Sequence, residues 1–342
     1  MRHSHLTRRA FCRLAAAPMA AGLGRTALAA PPAFGLQYVL GSSMYGKTSL
    51  ADLLPEVART GSPYVDLWPA PHGNQREQFD ALGAEKFVAL AASHDVRLGM
   101  TTRYDLGPFG LHEELRLLKK LGGRLVVTGS SGPKNVAGPE ARSAVAKFVE
   151  QMKPHVAVAE ECRVTIAIEN HANALIATPD SIRYLAEFSP SPRLGIALAP
   201  YHLPQDESQL ARLIEDLGPK LAHFYAWQYG RGCMRPMPKA EELEQMPGRG
   251  KLDFRPLLTA LKKIEYGGWT EIFMHPTPRG ISILPTVAEV TAEINRARAY
   301  LQDCLRAYLR TNGETFRSAV SAGSETRAER TSIEPERTSK TA

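Results

Sequence analysis

Polar side chains of the kinds that transfer protons or bind metals stand at the ends of short apolar runs. Glu169, Asn170 and His171 follow one such run, and His202 stands just beyond another. Comparable positions are occupied by Asp66, Trp68, Arg103, His223, Tyr225, Trp227, Glu271 and His275. A carboxylate with several histidines can bind a divalent metal, and the same groups can form an acid/base pair that moves a proton next to a carbonyl.

Each of these side chains, taken alone, has a simpler explanation. A single histidine is more often a hydrogen-bonded residue that helps to close the fold than a functional group. Four histidines that converge with Glu169 on one end of the molecule favour a functional site instead. The elements that carry these residues must therefore bring their ends together.

Between Pro31 and Asn312 the sequence alternates short apolar runs with longer amphipathic segments, a pattern typical of parallel strands joined by helices. The predicted strands are Phe34–Leu40, Tyr64–Trp68, Arg97–Thr101, Arg124–Thr128, Val164–Glu169, Leu194–Ala199, Leu221–Trp227 and Thr270–Met274. The predicted helices are Leu50–Thr60, Arg76–His94, Leu111–Leu121, Pro139–Cys162, Pro179–Phe188, Glu207–Leu217, Phe254–Tyr266 and Thr286–Leu309. Eight such pairs predict an α/β fold of the (β/α)8 TIM barrel type. A doubly wound open sheet lacks support, because no GxGxxG motif follows the first strand.

The fifth and sixth predicted strands alternate large and small side chains. Strand side chains alternate between two faces, so the large ones would pack against the helices and the small ones would point into the barrel. The small set ends at Glu169 in one strand and at Ala199 in the other. Glu169 is therefore expected at the C-terminal mouth, where such barrels place their chemistry.

Two loops are expected to border the mouth. Gln228–Lys251 is long and rich in Gly, Pro and Met, which is typical of a lid or a binding loop. The stiff segment from His275 to Gly280 would hold Arg279 near the mouth. Either Arg249 or Arg279 could bind an anionic substrate group with its two-pronged guanidinium, and a solvated surface charge is the alternative for both.

The chain begins with a segment that predicts export. Residues 7–11, Thr-Arg-Arg-Ala-Phe, match a twin-arginine signal, and an Ala-rich stretch and a small-residue cleavage site near Ala29 follow. Residues 1–30 are thus expected to be removed, and the protein is expected in the periplasm or another extracytoplasmic space. The polar residues 313–342 are predicted to be a disordered tail, which leaves residues 31–312 as the barrel.

Three strand motifs resemble those of the xylose isomerase-like TIM barrels. Ile166–His171 is similar to their fifth strand, Leu194–His202 to the sixth and Leu221–Trp227 to the seventh. The resemblance spans roughly residues 34 to 309. This group includes sugar epimerases, hydroxypyruvate isomerase, inosose dehydratase and endonuclease IV, so the resemblance implies a barrel that acts on a sugar, a polyol or a keto-sugar.

Most of the metal site that the resemblance implies is missing. Members usually hold a divalent metal with a Glu, an Asp, a His and a second Glu. Glu169 matches the first ligand, whereas Ala199, Tyr225 and Phe273 stand at or near the other three positions. A metal-free site is one expectation. The alternatives are a zinc-like site built from Glu169, His202, His223 and His275 and the family's usual manganese or magnesium site.

The proposed chemistry follows from these residues. Glu169 is expected to be the catalytic base or a metal ligand, with His202 as the partner acid. The expected substrate contacts are Asp66, Trp68, Asn170, His171, Tyr225, Trp227, Arg249 and Arg279. The reaction would be isomerisation, epimerisation or elimination through an enolate-like intermediate, and the alternative is a carbohydrate-binding barrel that has lost the chemistry.

The charge of the chain does not indicate a nucleic-acid partner. Five arginines within residues 1–30 account for most of the formal net charge of +7, so the basic balance belongs to the leader. A DNA-repair nuclease would also need a multi-metal cluster with more ligands than the sequence offers. The expected partner is a small sugar or polyol, no membrane span is predicted, and the oligomeric state is left open.

Overall fold

Eight parallel strands form a closed barrel in a computed structural model that describes residues 34–229 and 235–328. The strands are β1 Gln37–Gly41, β2 Tyr64–Leu67, β3 Arg97–Thr102, β4 Leu125–Thr128, β5 Thr165–Glu169, β6 Leu194–Leu198, β7 Leu221–Ala226 and β8 Trp269–Ile272. Each pairs with the next along the chain, and β8 closes the barrel on β1. The predicted TIM barrel is confirmed.

Helices follow the strands and cover the outside of the barrel. They are α1 Leu50–Arg59, α2 Gln75–Leu82, α3 Ala84–Ala92, α4 His112–Leu121, α5 Gly138–Cys162, α6 Pro179–Phe188, α7 Glu207–Leu217, α8 Lys239–Glu242, α9 Phe254–Lys263 and α10 Val287–Ala328. The sequence predicts one helix over 76–94, whereas the structure has two. Gly83 separates them because its φ of +86° is not helical.

Local capping fixes where several helices begin. The side chains of Ser49, Thr178 and Asp206 each accept a hydrogen bond from the backbone N–H three residues later. Such a cap stabilises a helix by about 1 kcal/mol. These starts agree with the sequence pattern to within a residue, so the strand ends that precede them are also well placed.

The register of the strands fixes which side chains share a face. Ala167 pairs with Gly195, and Glu169 pairs with Ala197. The small residues of β5 and β6 therefore line the same face, while Ile166 and Ile168 lie on the other and are fully buried under the helices. Little side-chain volume from these two strands fills the barrel beneath Glu169.

The described residues cover the predicted C-terminal boundary of the barrel but not the predicted export signal. Residues 1–33, with the predicted export signal, lie outside the described residues, as do residues 329–342. Helix α10 continues to Ala328 and so runs past Asn312, where the sequence places the start of a tail. Within the described residues, no helix has the length and apolar character needed to cross a bilayer.

The loop after β8 is tied to the loop after β1 at the mouth of the barrel. Tyr45 and Ser282 form an antiparallel bridge, and the Ile283 N–H donates to the Met44 carbonyl at 3.0 Å. Gly46 lies so close to the backbone of Ile281 and Ser282 that a Cβ there would approach within 2.5 Å. The β8 loop therefore has a fixed backbone support on this side of the mouth.

Candidate functional site

Three carboxyl groups lie buried inside the barrel without a Lys or Arg partner among the described residues. The solvent-exposed fractions of Asp66, Glu169 and Glu271 are 0%, 3% and 0%. Gly41 makes room for one of them, because a Cβ at this position would collide with the Glu271 carboxyl group. Asp66 accepts a hydrogen bond from the Thr102 hydroxyl at 2.7 Å, while its Oδ1 and both Glu271 oxygens have no hydrogen-bond partner among the described residues.

These carboxyl groups hold protons more tightly than exposed ones. Burial raises the pKa of Asp66 to about 7 and that of Glu169 to about 8. Burial also raises the pKa of Glu271 well above its usual value, and the neighbouring charges of Asp66 and Glu169 raise it further. Glu169 is therefore largely a neutral acid at pH 7.

Glu169 lies between a phenol and an imidazole. The Tyr104 hydroxyl donates a hydrogen bond to Glu169 Oε2, and His202 Nε2 lies 3.7 Å from Glu169 Oε1. The side chain of His202 is only 4% exposed. Burial, helped by His171 and Arg279, lowers the pKa of His202 to about 3, so its ring is neutral. A neutral acid thus faces a neutral base.

A second acid–imidazole pair lies deeper in the barrel. His223 Nε2 is 3.2 Å from Glu271 Oε2, and both side chains are fully buried. Burial lowers the pKa of His223 to about 3. The ring of Tyr225 contacts the His223 ring, with 4.4 Å between their centroids, and the Tyr225 hydroxyl has no partner among the described residues. Tyr225 separates this pair from the mouth.

The candidate metal ligands do not gather around one point. His223 lies beside Glu271, and His202 lies beside Glu169. The His275 ring packs against the His72 ring instead, with 4.6 Å between their centroids. Among the described residues no group of three or more His, Cys, Asp or Glu side chains is arranged to hold a metal ion. The donor set therefore does not fit the zinc-like site that the sequence leaves open.

Asn170 has a structural role rather than a place among substrate contacts. Its side-chain amide donates to the Ala199 carbonyl at 3.0 Å, and its carbonyl oxygen accepts from the Ala199 N–H at 2.8 Å. Both polar ends of the amide are occupied, and the residue is fully buried. It joins the ends of β5 and β6, which fixes the position of the neighbouring Glu169.

Aromatic rings form a layer between the buried carboxyl groups and the mouth. Trp68 stacks on Phe273 with ring centroids 5.0 Å apart, and Trp227 stacks on Tyr201 with ring centroids 4.0 Å apart. Both tryptophans are 1% exposed. The Trp227 indole N–H donates to Gln245 Oε1 at 3.0 Å. These two predicted sugar contacts therefore lie beneath the mouth, with little of their ring surface open.

A cavity of about 320 Å³ opens above this layer, a volume in the range of small-ligand sites. Its lining includes His171, Tyr201, His202, Tyr229 and Arg279. His202 thus joins the cavity to Glu169. The cavity brings together three of the predicted site residues, His171, His202 and Arg279.

Arg249 does not reach this cavity. Its Nε and Nη2 atoms donate to the Glu293 carboxylate of α10 at 2.7 and 2.6 Å. The guanidinium is therefore engaged in a structural ion pair on the side of the barrel. Of the two arginines that the sequence offers for an anionic group, the structure places only Arg279 at the cavity.

Two residues at the site are not singled out by the sequence pattern. Tyr104 lies two residues past the end of β3, and its hydroxyl donates a hydrogen bond to Glu169. His72 lies in the loop after β2, and its pKa is lowered to about 4 by burial, then by Arg279 and His171. The signal that could have found Tyr104 is the one that selects the other residues, a polar side chain just beyond a strand end. At this strand end the sequence pattern selects the neighbouring Arg103 instead.

Sequence comparison with protein families gives one match. A family model described as xylose isomerase-like TIM barrel matches residues 54–304. No curated protein matches the chain in a search by sequence.

Solved structures with the same fold share little sequence with this chain. D-psicose 3-epimerase from Clostridium cellulolyticum H10, solved with D-tagatose, is 17% identical, and the match covers 79% of this chain and 99% of that one with a TM-score of 0.59. L-ribulose 3-epimerase is 15% identical, with 82% and 98% covered and a TM-score of 0.61. The IolI protein with a bound zinc atom is 15% identical, with 80% and 99% covered and a TM-score of 0.60. At these identities the likeness concerns the fold.

Proposed function

The chain belongs to the xylose isomerase-like TIM barrel family, and we propose that it is an isomerase- or epimerase-like enzyme that moves a proton next to the carbonyl of a sugar or keto-sugar. The observation that carries this proposal is the Glu169–His202 pair, in which His202 lines the cavity and Glu169 lies behind it, with 3.7 Å between His202 Nε2 and Glu169 Oε1. Structural neighbours with the same fold include two epimerases of ketoses, which supports the substrate class.

The pair can perform such a transfer without leaving an uncompensated charge. His202, neutral, takes the proton from the carbon next to the carbonyl, and the carbonyl oxygen takes the proton of Glu169. The products are an enediol, an imidazolium and a carboxylate. The two new charges face each other across the 3.7 Å that separates His202 Nε2 from Glu169 Oε1, and reversal of the transfers at the neighbouring carbon completes the isomerisation.

Tyr104 supports the charged state of this pair. Its hydroxyl donates to Glu169 Oε2, and such a bond is stronger when the acceptor is a carboxylate. The roles differ from those that the sequence predicts, since Glu169 acts as the acid and His202 as the base. The reason is burial, which favours the neutral form of both groups.

A carbohydrate-binding barrel without catalysis is the second candidate. Tyr201 and Tyr229 line the cavity, and aromatic faces of this kind pack against the apolar faces of sugars. The two candidates differ in one respect, because only an enzyme exchanges a substrate hydrogen with solvent.

Exchange of a carbon-bound hydrogen tests the first candidate. The protein is incubated with D-fructose, D-psicose and L-ribulose in D2O, and deuterium at the carbon next to the carbonyl is followed by NMR. We expect exchange that survives a chelator and falls about a hundredfold or more in Glu169→Gln, since loss of a general acid removes 10²–10⁴ in rate.

Glu113→Gln is the matched control, because Glu113 is an exposed carboxylate on α4 with its side chain 87% accessible. It should exchange at the wild-type rate. Saturable sugar binding without any exchange would favour the carbohydrate-binding barrel. Exchange that stops in chelator and returns with a divalent metal would overturn the metal-free acid/base pair.

A further inference from the structure

Arg279 is an unengaged cation in the lining of the cavity. It is exposed, and it makes no hydrogen bond or ion pair with any residue in the part of the chain that the structure describes. Most other arginines near the barrel's surface are paired, as Arg249 is with Glu293. An arginine that lines a cavity without a partner is free to bind a group from solution.

The backbone holds Arg279 in place. The next residue, Gly280, has a φ of +85°, and a Cβ there would lie 2.8 Å from the Pro71 carbonyl oxygen. Only glycine combines this conformation with so close an approach. Beyond Gly280, Ser282 is bridged to Tyr45. The guanidinium therefore extends from a loop whose backbone is held directly after Arg279, so little ordering of the backbone is needed when it binds a ligand.

The charge of Arg279 is not balanced at the cavity. No Asp or Glu is found among the described residues that line it. The histidines around it are neutral at pH 7, since burial, with a smaller contribution from Arg279, lowers the pKa values of His72, His171, His202 and His275. The cavity thus combines one permanent positive charge with neutral imidazoles that can donate hydrogen bonds.

We infer that the substrate of the proposed reaction carries an anionic group, a carboxylate or a phosphate, which Arg279 binds while the carbonyl end lies at His202. The inference rests on the proposed function and adds the substrate class. The planar fork of arginine suits both groups, because each offers two oxygens to parallel N–H donors. The cavity volume of about 320 Å³ accommodates a small acyclic sugar acid or sugar phosphate.

Binding of three matched probes tests this inference. D-fructose, D-fructuronate and D-fructose 6-phosphate share a keto-sugar frame and differ in charge, and their dissociation constants are measured by calorimetry. We expect at least one anionic probe to bind about tenfold to a hundredfold more tightly than D-fructose. Arg279→Gln should remove that preference, since a hydrogen bond to a charged group contributes about 1.5–3 kcal/mol.

Arg306→Gln is the control, because it removes the same charge from an exposed position far along α10. It should leave all three dissociation constants unchanged. A preference for D-fructose 6-phosphate over D-fructuronate would identify the anion as a phosphate, and the reverse would identify a carboxylate.

The outcomes separate this inference from the proposed function. If D-fructose binds as tightly as the anionic probes, or if Arg279→Gln keeps their preference, the anionic class is wrong and the proton transfer still stands on its exchange test. If none of the three probes binds the wild-type protein, the anionic class fails, and the exchange test with D-psicose and L-ribulose decides the proton transfer separately. The Arg279 side chain makes no hydrogen bond or ion pair with the described residues. The melting temperature of Arg279→Gln should therefore equal that of the wild type.

Discussion

At the scale of single residues, the unusual feature is a set of carboxyl groups that share a buried space without a cation. Repulsion and burial both favour their protonated forms. Asp66 is the most informative member, because its pKa of about 7 lies within the pH range in which proteins are normally studied. Its protonation should therefore be visible in the pH dependence of stability.

Asp66 is expected to make the protein less stable as the pH rises. In the unfolded chain an aspartate loses its proton near pH 4, whereas in the folded protein Asp66 keeps it until about pH 7. The folded state thus binds the extra proton between these values, and this stabilisation is lost as the pH rises through 7. We expect the free energy of unfolding of the wild type, relative to Asp66→Asn, to fall by about 1 kcal/mol or more between pH 5 and pH 8.

Urea unfolding at several pH values measures this difference. Asp66→Asn keeps the acceptor for Thr102, and the comparison cancels the histidines, whose lowered pKa values act in both proteins below about pH 6.5. Asp95→Asn, at an exposed turn, is the control and should run parallel to the wild type. A constant difference between wild type and Asp66→Asn at all pH values would show that Asp66 is ionised in the folded protein.

The sequence predicts where the main candidate residues lie, and the roles proposed for them here depend on the folded structure. Glu169 and His202 follow from strand ends, and the structure places His202 in the lining of the cavity with Glu169 next to it. Asn170 and Arg249 fit the same pattern but have structural partners, Ala199 and Glu293, that are distant in sequence. A residue pattern contains no information on such partners, and the direction of proton transfer depends on burial, which only the folded structure supplies.

At the scale of elements, a buried ion cluster joins α2 and α4 to the loop after β3. Glu114 is 2% exposed. It accepts hydrogen bonds from Arg76, from Arg103 Nη1 at 2.5 Å and from the Thr101 hydroxyl at 2.7 Å. Arg103 immediately precedes Tyr104. The cluster therefore holds the loop that carries the phenol of the Glu169 pair.

Removal of the Glu114 side chain should lower the free energy of unfolding and loosen the loop that carries Tyr104. Glu114→Ala leaves Arg76 and Arg103 buried without their shared partner, and breaking a buried ion pair in this way costs about 3–5 kcal/mol. Glu113→Ala, one residue earlier, removes an exposed carboxylate paired with Arg116 and should cost less than about 1 kcal/mol. Urea unfolding of the two variants measures both values, and equal losses would show that the cluster contributes no more than a surface pair.

Element boundaries are predicted well where local signals act and less well where the barrel decides. Pro179–Phe188 and Glu207–Leu217 are predicted to the residue, since capping side chains mark their starts. The positions of Asp66 and His223 are different. They depend on the strand register, which shifts between Val65 and Asp66 in the pairing of β2 with β3 and between Ile196 and Ala197 in the pairing of β6 with β7. No alternation of residues within a strand shows such a shift.

At the scale of the whole molecule, we propose that residues 1–30 direct the folded barrel out of the cytoplasm by the twin-arginine route. The support is the order of Arg8-Arg9, an apolar stretch and a small-residue cleavage site. Changing Arg8 and Arg9 to Lys preserves the charge and should leave the uncleaved precursor inside the cell. Fractionation and immunoblotting measure its distribution.

The control for export keeps the pair and changes other arginines of the leader. Arg2→Lys with Arg13→Lys should be exported and cleaved near Ala29 like the wild type. Normal export of the Arg8→Lys, Arg9→Lys protein would exclude the twin-arginine route and favour another export route.

The three tryptophans of the chain are distributed so that the protein carries an optical probe of its own mouth. Trp227 stacks on Tyr201, which lines the cavity, whereas Trp269 contacts Tyr64 at the opposite end of the barrel, with ring centroids 4.4 Å apart. A molecule that settles against Tyr201 would alter the fluorescence of Trp227 and leave the emission of Trp269 as a constant background. In a Trp269→Phe protein, the change in emission would follow the filling and emptying of the mouth in real time without any attached dye.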